Sequence, residues 1–248
     1  MAITGMRHIN LEASISFKSL GKKINNNSAL AGVSFGVEKG SIFSVYGKMF
    51  SGKSAILKLI SGIIYKDKGY LYINGSDLNI NPLDIKFDIG YTPQKIDFYN
   101  NLNLLDNIIL YSEFFNVTKS KAKKRALDLS KRLDILDFLY KTPDETNRCI
   151  QKIALFVRSI IHNPNIILLD QLSTDLDTPY KKKIWNFLSK ENSTKTIIYS
   201  TTDLEEVEKY SNRMLYIDKH EIKYLGVYDT FVESKYNYSS DYEMKNLK

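Results

Sequence analysis

The segment GKMFSGKS, residues 47–54, constrains this chain more than any other. Gly47, Gly52, Lys53 and Ser54 satisfy the spacing G-x-x-x-x-G-K-[ST], in which backbone N–H groups wrap phosphate oxygens at a helix N-terminus. Such a loop requires a strand before it and a helix after it, and the flanks comply. The apolar run SIFSV feeds directly into Gly47. Beyond Lys53, residues Ala55, Ile56, Leu59 and Ile60 fall at helical spacing, and Gly62 is a stop signal. Lys48, Met49, Phe50 and Ser51 complete the loop, with Lys53 expected to neutralise phosphates and Ser54 to ligate a metal ion. Phe50 is the odd member. A bulky side chain restricts dihedrals where glycine is free, which predicts weakened or altered nucleotide binding rather than none.

The remaining pattern fits an α/β core. ALAGVSFGVEKGSIFSV (29–45) reads as two strands around a turn at Glu38, Lys39 and Gly40. NPNIILLD (163–170) ends in a short apolar run of the kind a strand buried on both faces requires, and it closes on Asp170. A helix from about Tyr180 to Lys190 follows, then the strand TIIYS, the helix-like DLEEVEKYSN and the strand MLYID. This alternation predicts a mostly parallel sheet with helices on its faces. A strand-end carboxylate is the second half of a phosphate-binding site, so Asp170 is expected to hold Mg²⁺ with Ser54.

Between about residues 101 and 160 the character changes. Ala122, Ala126, Leu129, Leu133 and Leu136 form a four-three apolar stripe among Lys121, Lys123, Lys124, Arg125, Lys131 and Arg132. This predicts a small helical subdomain whose basic residues form a solvated face. Residues 1–232 are expected to make one nucleotide-binding domain and 233–248 a polar tail. The formal charge of +7 permits anionic partners but selects none. One cysteine excludes an internal disulfide and fits a reducing compartment. No leader pattern and no long uncharged apolar run is evident, so any membrane role is expected to need a partner.

With GKMFSGKS and IILLD placed, the segments IGYTPQ (ending at Gln94), RSIIHNPNIILLD (from Arg158), STDLD (Ser173 to Asp177) and IIYST (from Ile197) complete a resemblance. The sequence resembles the nucleotide-binding subunits of ATP-binding-cassette (ABC) transporters over about residues 15–231. The resemblance implies the P-loop NTPase fold of the ABC ATPases, with a mostly parallel core, an N-terminal antiparallel β region and a helical subdomain. It also implies ATP and Mg²⁺ as ligands, with Gln94 a nucleotide and metal contact. A transmembrane permease subunit and a second ABC subunit, identical or not, are the implied partners, and no nucleic acid is expected. The implied location is cytoplasmic, peripheral at the inner face of the plasma membrane. The NPNIILLD context most resembles the stand-alone cassettes of export systems.

Several positions depart from the family pattern. Gln171 stands where the family has its general base, and an amide has no useful basicity near neutral pH. Thr202 stands where the family has a histidine toward the γ-phosphate. The signature segment aligns with Thr146, Asn147, Arg148, Cys149 and Ile150, where Arg148 and Cys149 replace close-packed glycines. Arg148 is expected to obstruct the partner's nucleotide, or alternatively to present its guanidinium to it. Cys149 is expected to be a packing residue, the alternative being a reactive thiol beside Arg148 at a helix start. Asp177 falls at the family's D-loop position. Leu20 and Phe17 are the two residues near the family's adenine-stacking place. The expected function is an ATP-binding subunit with weak or partner-dependent hydrolysis; the alternative is a soluble pseudo-ATPase acting as an ATP-gated regulatory module.

Overall fold

Two sheets carry the strands of the computed structural model, which describes residues 13–24, 27–78 and 82–234. The antiparallel sheet holds β1 (Ala13–Ile24), β2 (Asn27–Glu38), β4 (Lys68–Ile73) and β5 (Ser76–Asp77), in the order β2-β1-β4-β5. The other holds β3 (Ile42–Tyr46), β6 (Ile89–Thr92), β7 (Ile166–Asp170), β8 (Thr196–Thr201), β9 (Arg213–Asp218) and β10 (Glu221–Gly226). Its order is β10-β9-β3-β8-β7-β6, parallel except for β10, which pairs antiparallel with β9. A mostly parallel core beside an antiparallel N-terminal region is therefore the architecture.

The alternation of side chains explains why β7 reads as an unbroken apolar run. Ile167 and Leu169 join Ile42, Ile197 and Tyr199 in the core on one face of the sheet. Ile166 and Leu168 join Phe43, Val45 and Ile198 in the core on the other. Since both faces are covered, no position on β7 can be polar until its last residue. Helix α1 (Lys53–Ile60) and the antiparallel sheet cover the second face. The first is covered by α3 (Leu104–Glu113), α4 (Lys119–Arg132), α5 (Arg148–Ser159) and α6 (Thr178–Glu191). The remaining α-helices among the described residues are the short α2 (Pro82–Phe87) and α7 (Leu204–Tyr210).

Helix α4 buries Ala122, Ala126 and Leu129, and Leu133 at its C-cap is also buried, as the stripe predicts. Leu136 does not continue it. Asp134 takes φ 63, which ends the helical path, and Leu136 sits in a following 3-10 turn, 37% exposed. The expected tail falls almost wholly outside the described residues.

His162, in the turn before β7, stacks on Phe115 with ring centroids 3.7 Å apart. Its Nε2 faces the Ile89 carbonyl at 3.1 Å, so this nitrogen donates in the neutral ring, while the buried Nδ1 has no hydrogen-bond partner among the described residues. Burial lowers its pKa to about 4. The unfolded chain takes up that proton near pH 6.5 and the folded chain resists it, so the stabilisation is whole above pH 6.5 and is lost as pH falls toward 4. Denaturant midpoints are expected to fall by an amount equivalent to about 2 kcal/mol between pH 6.5 and 5 on this account. His162→Gln, which keeps a donor but cannot titrate, should remove that component; an identical acid slope in the variant would refute the assignment.

Candidate functional site

Register places the chemistry on one edge. Tyr46 pairs with Thr201, and Asp170 pairs with Ser200, so β3, β7 and β8 end nearly level. Gly47, Gln171 and Thr202 therefore emerge side by side at the carboxyl ends of parallel strands, where ligands of open α/β sheets gather. The Gly47 amide donates to the Thr201 carbonyl at 3.3 Å. A Cβ at Gly47 would lie 2.2 Å from the Ile217 carbonyl oxygen, so no side chain fits there.

The loop then turns through two left-handed residues, Phe50 at φ 61 and Gly52 at φ 108. For Gly52 this is free; for Phe50 it costs about 1 kcal/mol. The phenylalanine does not distort the loop out of the left-handed region but accepts it, with its ring turned to solvent at 88% exposure. Met49 beside it is also exposed. Helix α1 starts at Lys53, and no side chain caps it, so its first amides face the loop. The buried Lys53 ammonium donates to the carbonyls of Gly47 and Lys48, both at 2.7 Å. Burial pushes its pKa below the ordinary lysine value, and Asp170 nearby pulls the other way.

Asp170 is 1% exposed. A carboxylate that deep needs donors, and three hydroxyls supply them. Ser54 Oγ donates to Oδ1 at 2.9 Å and Ser200 Oγ to the same oxygen at 2.6 Å, while Tyr91 donates to Oδ2 at 3.2 Å. Burial first, then Asp170, raises the Tyr91 pKa, so the phenol stays a donor. The Ser54 hydroxyl and Asp170 carboxylate are hard oxygen ligands, the donor type that Mg²⁺ prefers. Gln171 follows in left-handed geometry, φ 51 and ψ 43, its amide held by Ser200 Oγ at 3.0 Å. Its side-chain oxygen accepts from Gln94 Nε2 at 3.2 Å, which brings the IGYTPQ and IILLD segments together. Thr202 is exposed, just past β8.

The segment 146–150 forms the start of α5. Thr146 Oγ1 donates to the Pro143 carbonyl, and Asn147 is the N-cap, its side-chain oxygen accepting from the Ile150 amide at 2.9 Å. Such a cap is worth about 1 kcal/mol. Arg148 does not reach outward freely: its Nε meets Asp175 Oδ1 at 2.9 Å in the chain's own 172–175 turn. Cys149 and Ile150 are buried. Burial raises the thiol's pKa, which favours a packing role for Cys149 over a reactive one. Asp177, the N-cap residue of α6, lies next to Cys149. Lys152, fully buried on α5, donates to the carbonyls of Pro93 at 3.2 Å and Gln94 at 2.5 Å, with Asp175 at 3.9 Å. Burial lowers its pKa while Asp175 opposes the shift.

Neither residue near the adenine-stacking place offers a ring or face to a ligand. Leu20 is fully buried and Phe17 is stacked on Phe35 with centroids 4.3 Å apart. Tyr91, Ser200 and Lys152 support the site without being marked individually by any motif. Tyr91 and Ser200 each lie within a segment that carries the resemblance, IGYTPQ and IIYST; Lys152 carried no signal beyond its place on an apolar helix.

A strand, a glycine-bearing loop closed by a lysine, and a strand-end carboxylate joined to the next serine define a P-loop nucleotide-binding protein. The family described as "ABC transporter" matches residues 30–174, more than half of the chain. The ABC transporter ATP-binding protein NatA of Bacillus subtilis is 25% identical over 209 residues, 84% of this chain and 85% of NatA. The methionine import ATP-binding protein MetN of Clostridium acetobutylicum is 28% identical over 218 residues, 86% of this chain and 68% of MetN. The linearmycin resistance ATP-binding protein LnrL of Bacillus subtilis is 26% identical, over 87% of this chain and 68% of LnrL. A solved ATP-binding cassette, a dimer in a post-hydrolysis state with ADP and Pi, superposes with a TM-score of 0.80 at 26% identity, covering 86% of this chain and 98% of that one. The chain belongs to the ABC transporter family, as one of its ATP-binding subunits. Among the described residues no helix is long and apolar enough to cross a membrane.

Proposed function

We propose that this chain binds Mg-ATP at residues 47–54 with Asp170 and Gln94, and hydrolyses it slowly or only with a partner's help. The observation that carries the proposal is the joint placement of Lys53, Ser54 and Asp170 on one strand edge, with Gln171 rather than a carboxylate next in line. Mg²⁺ bound there would be held by Ser54 and Asp170, with Gln94 and water beside them, and it supplies charge neutralisation for the phosphates. Lys53 exchanges its loop carbonyls for phosphate oxygens, and the α1 amides complete the cradle. Gln171 and Thr202 take the γ-phosphate end. Gln171 orients water through its amide without accepting a proton, and Thr202 offers a hydroxyl where a longer imidazole would reach.

In this reading residues 1–232 are one nucleotide-binding domain, 101–160 its helical subdomain and 233–248 a tail. The chain pairs with a second ABC subunit, through Asp177 and the 146–150 segment, and with a transmembrane permease at the inner face of the plasma membrane. Nucleic acid is not a partner. Arg148, tied to Asp175, fills the space that glycine amides would leave open for the second subunit's nucleotide. We assign outward transport on the NPNIILLD context; since an import cassette, MetN, also matches, transport by membrane vesicles carrying the assembled complex decides direction. Isothermal calorimetry of the purified chain should register ATP binding that strengthens with Mg²⁺, while phosphate release stays near background. Absence of binding at millimolar ATP, or brisk unaided release, would overturn the proposal.

A further inference from the structure

Among the described residues, the most heavily hydrogen-bonded acidic side chain away from the phosphate site belongs to Glu206 on α7. It is 2% exposed, and an interior carboxylate is costly unless its lone pairs are filled. Its two oxygens divide their partners by origin. Oε2 accepts from Ser173 Oγ at 2.9 Å and from Thr201 Oγ1 at 2.7 Å. Oε1 accepts from Trp185 Nε1 at 2.9 Å, with Lys181 Nζ at 3.7 Å. Ser173 lies two residues beyond Gln171, and Thr201 immediately precedes Thr202. The two hydroxyls thus come from the two strand ends that carry the γ-phosphate side of the site.

The surrounding bonds keep this arrangement stiff. Thr201 Oγ1 also accepts from the Asp203 amide at 3.0 Å, and its carbonyl accepts from Gly47. Lys181 on α6 bonds Asp203 at 3.0 Å, so α6 and the turn after β8 are joined on a second side. A void of about 10 Å³, room for no more than one water, adjoins Ser173, Trp185 and Glu206 on the α6 side. A shift of either strand end must change what the single carboxylate accepts, because one oxygen serves both hydroxyls.

We propose that Glu206 is a positioning residue: it couples the Gln171 strand end to the Thr202 strand end, so that occupancy of the γ-phosphate position is sensed jointly by both. This rests on the Mg-ATP reading above, and it adds a means of telling triphosphate from diphosphate that touches neither ligand. The chain supplies its own reporter. Trp185 is the only tryptophan in the sequence, and its indole N–H donates to Glu206.

The test is titration of the full chain with Mg-ATP and Mg-ADP, read by tryptophan emission and, in parallel, by calorimetric Kd. ATP should change the emission and ADP should change it much less. In the double variant Ser173→Ala/Thr201→Val, which keeps Glu206 and Trp185, that difference should vanish and the ratio of ADP to ATP Kd should fall at least fivefold, with ADP affinity within twofold of wild type. Glu206→Gln, which keeps the volume, should lower the same ratio. Equal emission changes for the two nucleotides in the wild type, or an unchanged ratio in the double variant, would overturn the coupling even though nucleotide binds. A purely structural role would lower the melting temperature and leave the ratio alone. A wild-type chain that binds neither nucleotide overturns the site reading itself, and the coupling with it.

Discussion

Lys53→Ala should leave ATP binding undetectable at concentrations that saturate the wild type, about ten times its Kd. The ammonium lies among the loop carbonyls, where it would meet phosphate, and charge-assisted bonds to phosphate are worth about 1.5–3 kcal/mol each, so losing two of them weakens binding by at least about 100-fold. The mutation also leaves the Gly47 and Lys48 carbonyls without their shared donor. Thermal melting separates the effects: loop loosening lowers the midpoint slightly, whereas loss of phosphate contact removes the rise in midpoint that ATP gives the wild type. If the alanine variant binds ATP as the parent does, the nucleotide is not where Lys53 is.

Gln171→Glu should raise phosphate release by about 10- to 100-fold, short of the 10² to 10⁴ that a general base supplies in full. The substitution isolates chemistry from shape. Residue 171 sits at φ 51 with its amide on Ser200, and glutamate meets the same backbone cost as glutamine. The Gln94 Nε2 bond survives too, because that contact only asks residue 171 to accept. Thr202 and the Arg148–Asp175 pair stay as they are, which limits the gain. Turnover that does not move while ATP binding is intact would place the defect in those two features instead.

The sequence made the phosphate loop, Asp170 and the parallel core legible for one reason: each is a local pattern. A loop that wraps phosphate needs its glycines and lysine within eight residues, and a strand covered on both faces has to be apolar throughout. The antiparallel strands β1, β4 and β5 entered only through the resemblance, although Asn74 and Gly75, at φ 48 and φ 79 between β4 and β5, are a two-residue hairpin signal that the sequence does carry. The behaviour of Phe50 lay beyond reach. Its side chain argued for weakened or altered nucleotide binding, while the backbone keeps the left-handed turn in a loop tied to distant segments, the Gly47 amide to the Thr201 carbonyl and the Ser51 carbonyl to the His220 amide. The same holds for Arg148, whose partner Asp175 comes from a turn 27 residues later in the chain. Pairings between segments far apart in sequence leave no periodicity to read.

Lys152 makes the helical layer and the phosphate edge mechanically one. A cation sealed from solvent cannot let go of the Pro93 and Gln94 carbonyls without standing bare in an apolar interior, so sliding α5 drags the backbone at Gln94 along with it. Force applied to the outside of the helices would arrive at the end of β6 as displacement, through a strut of fixed length.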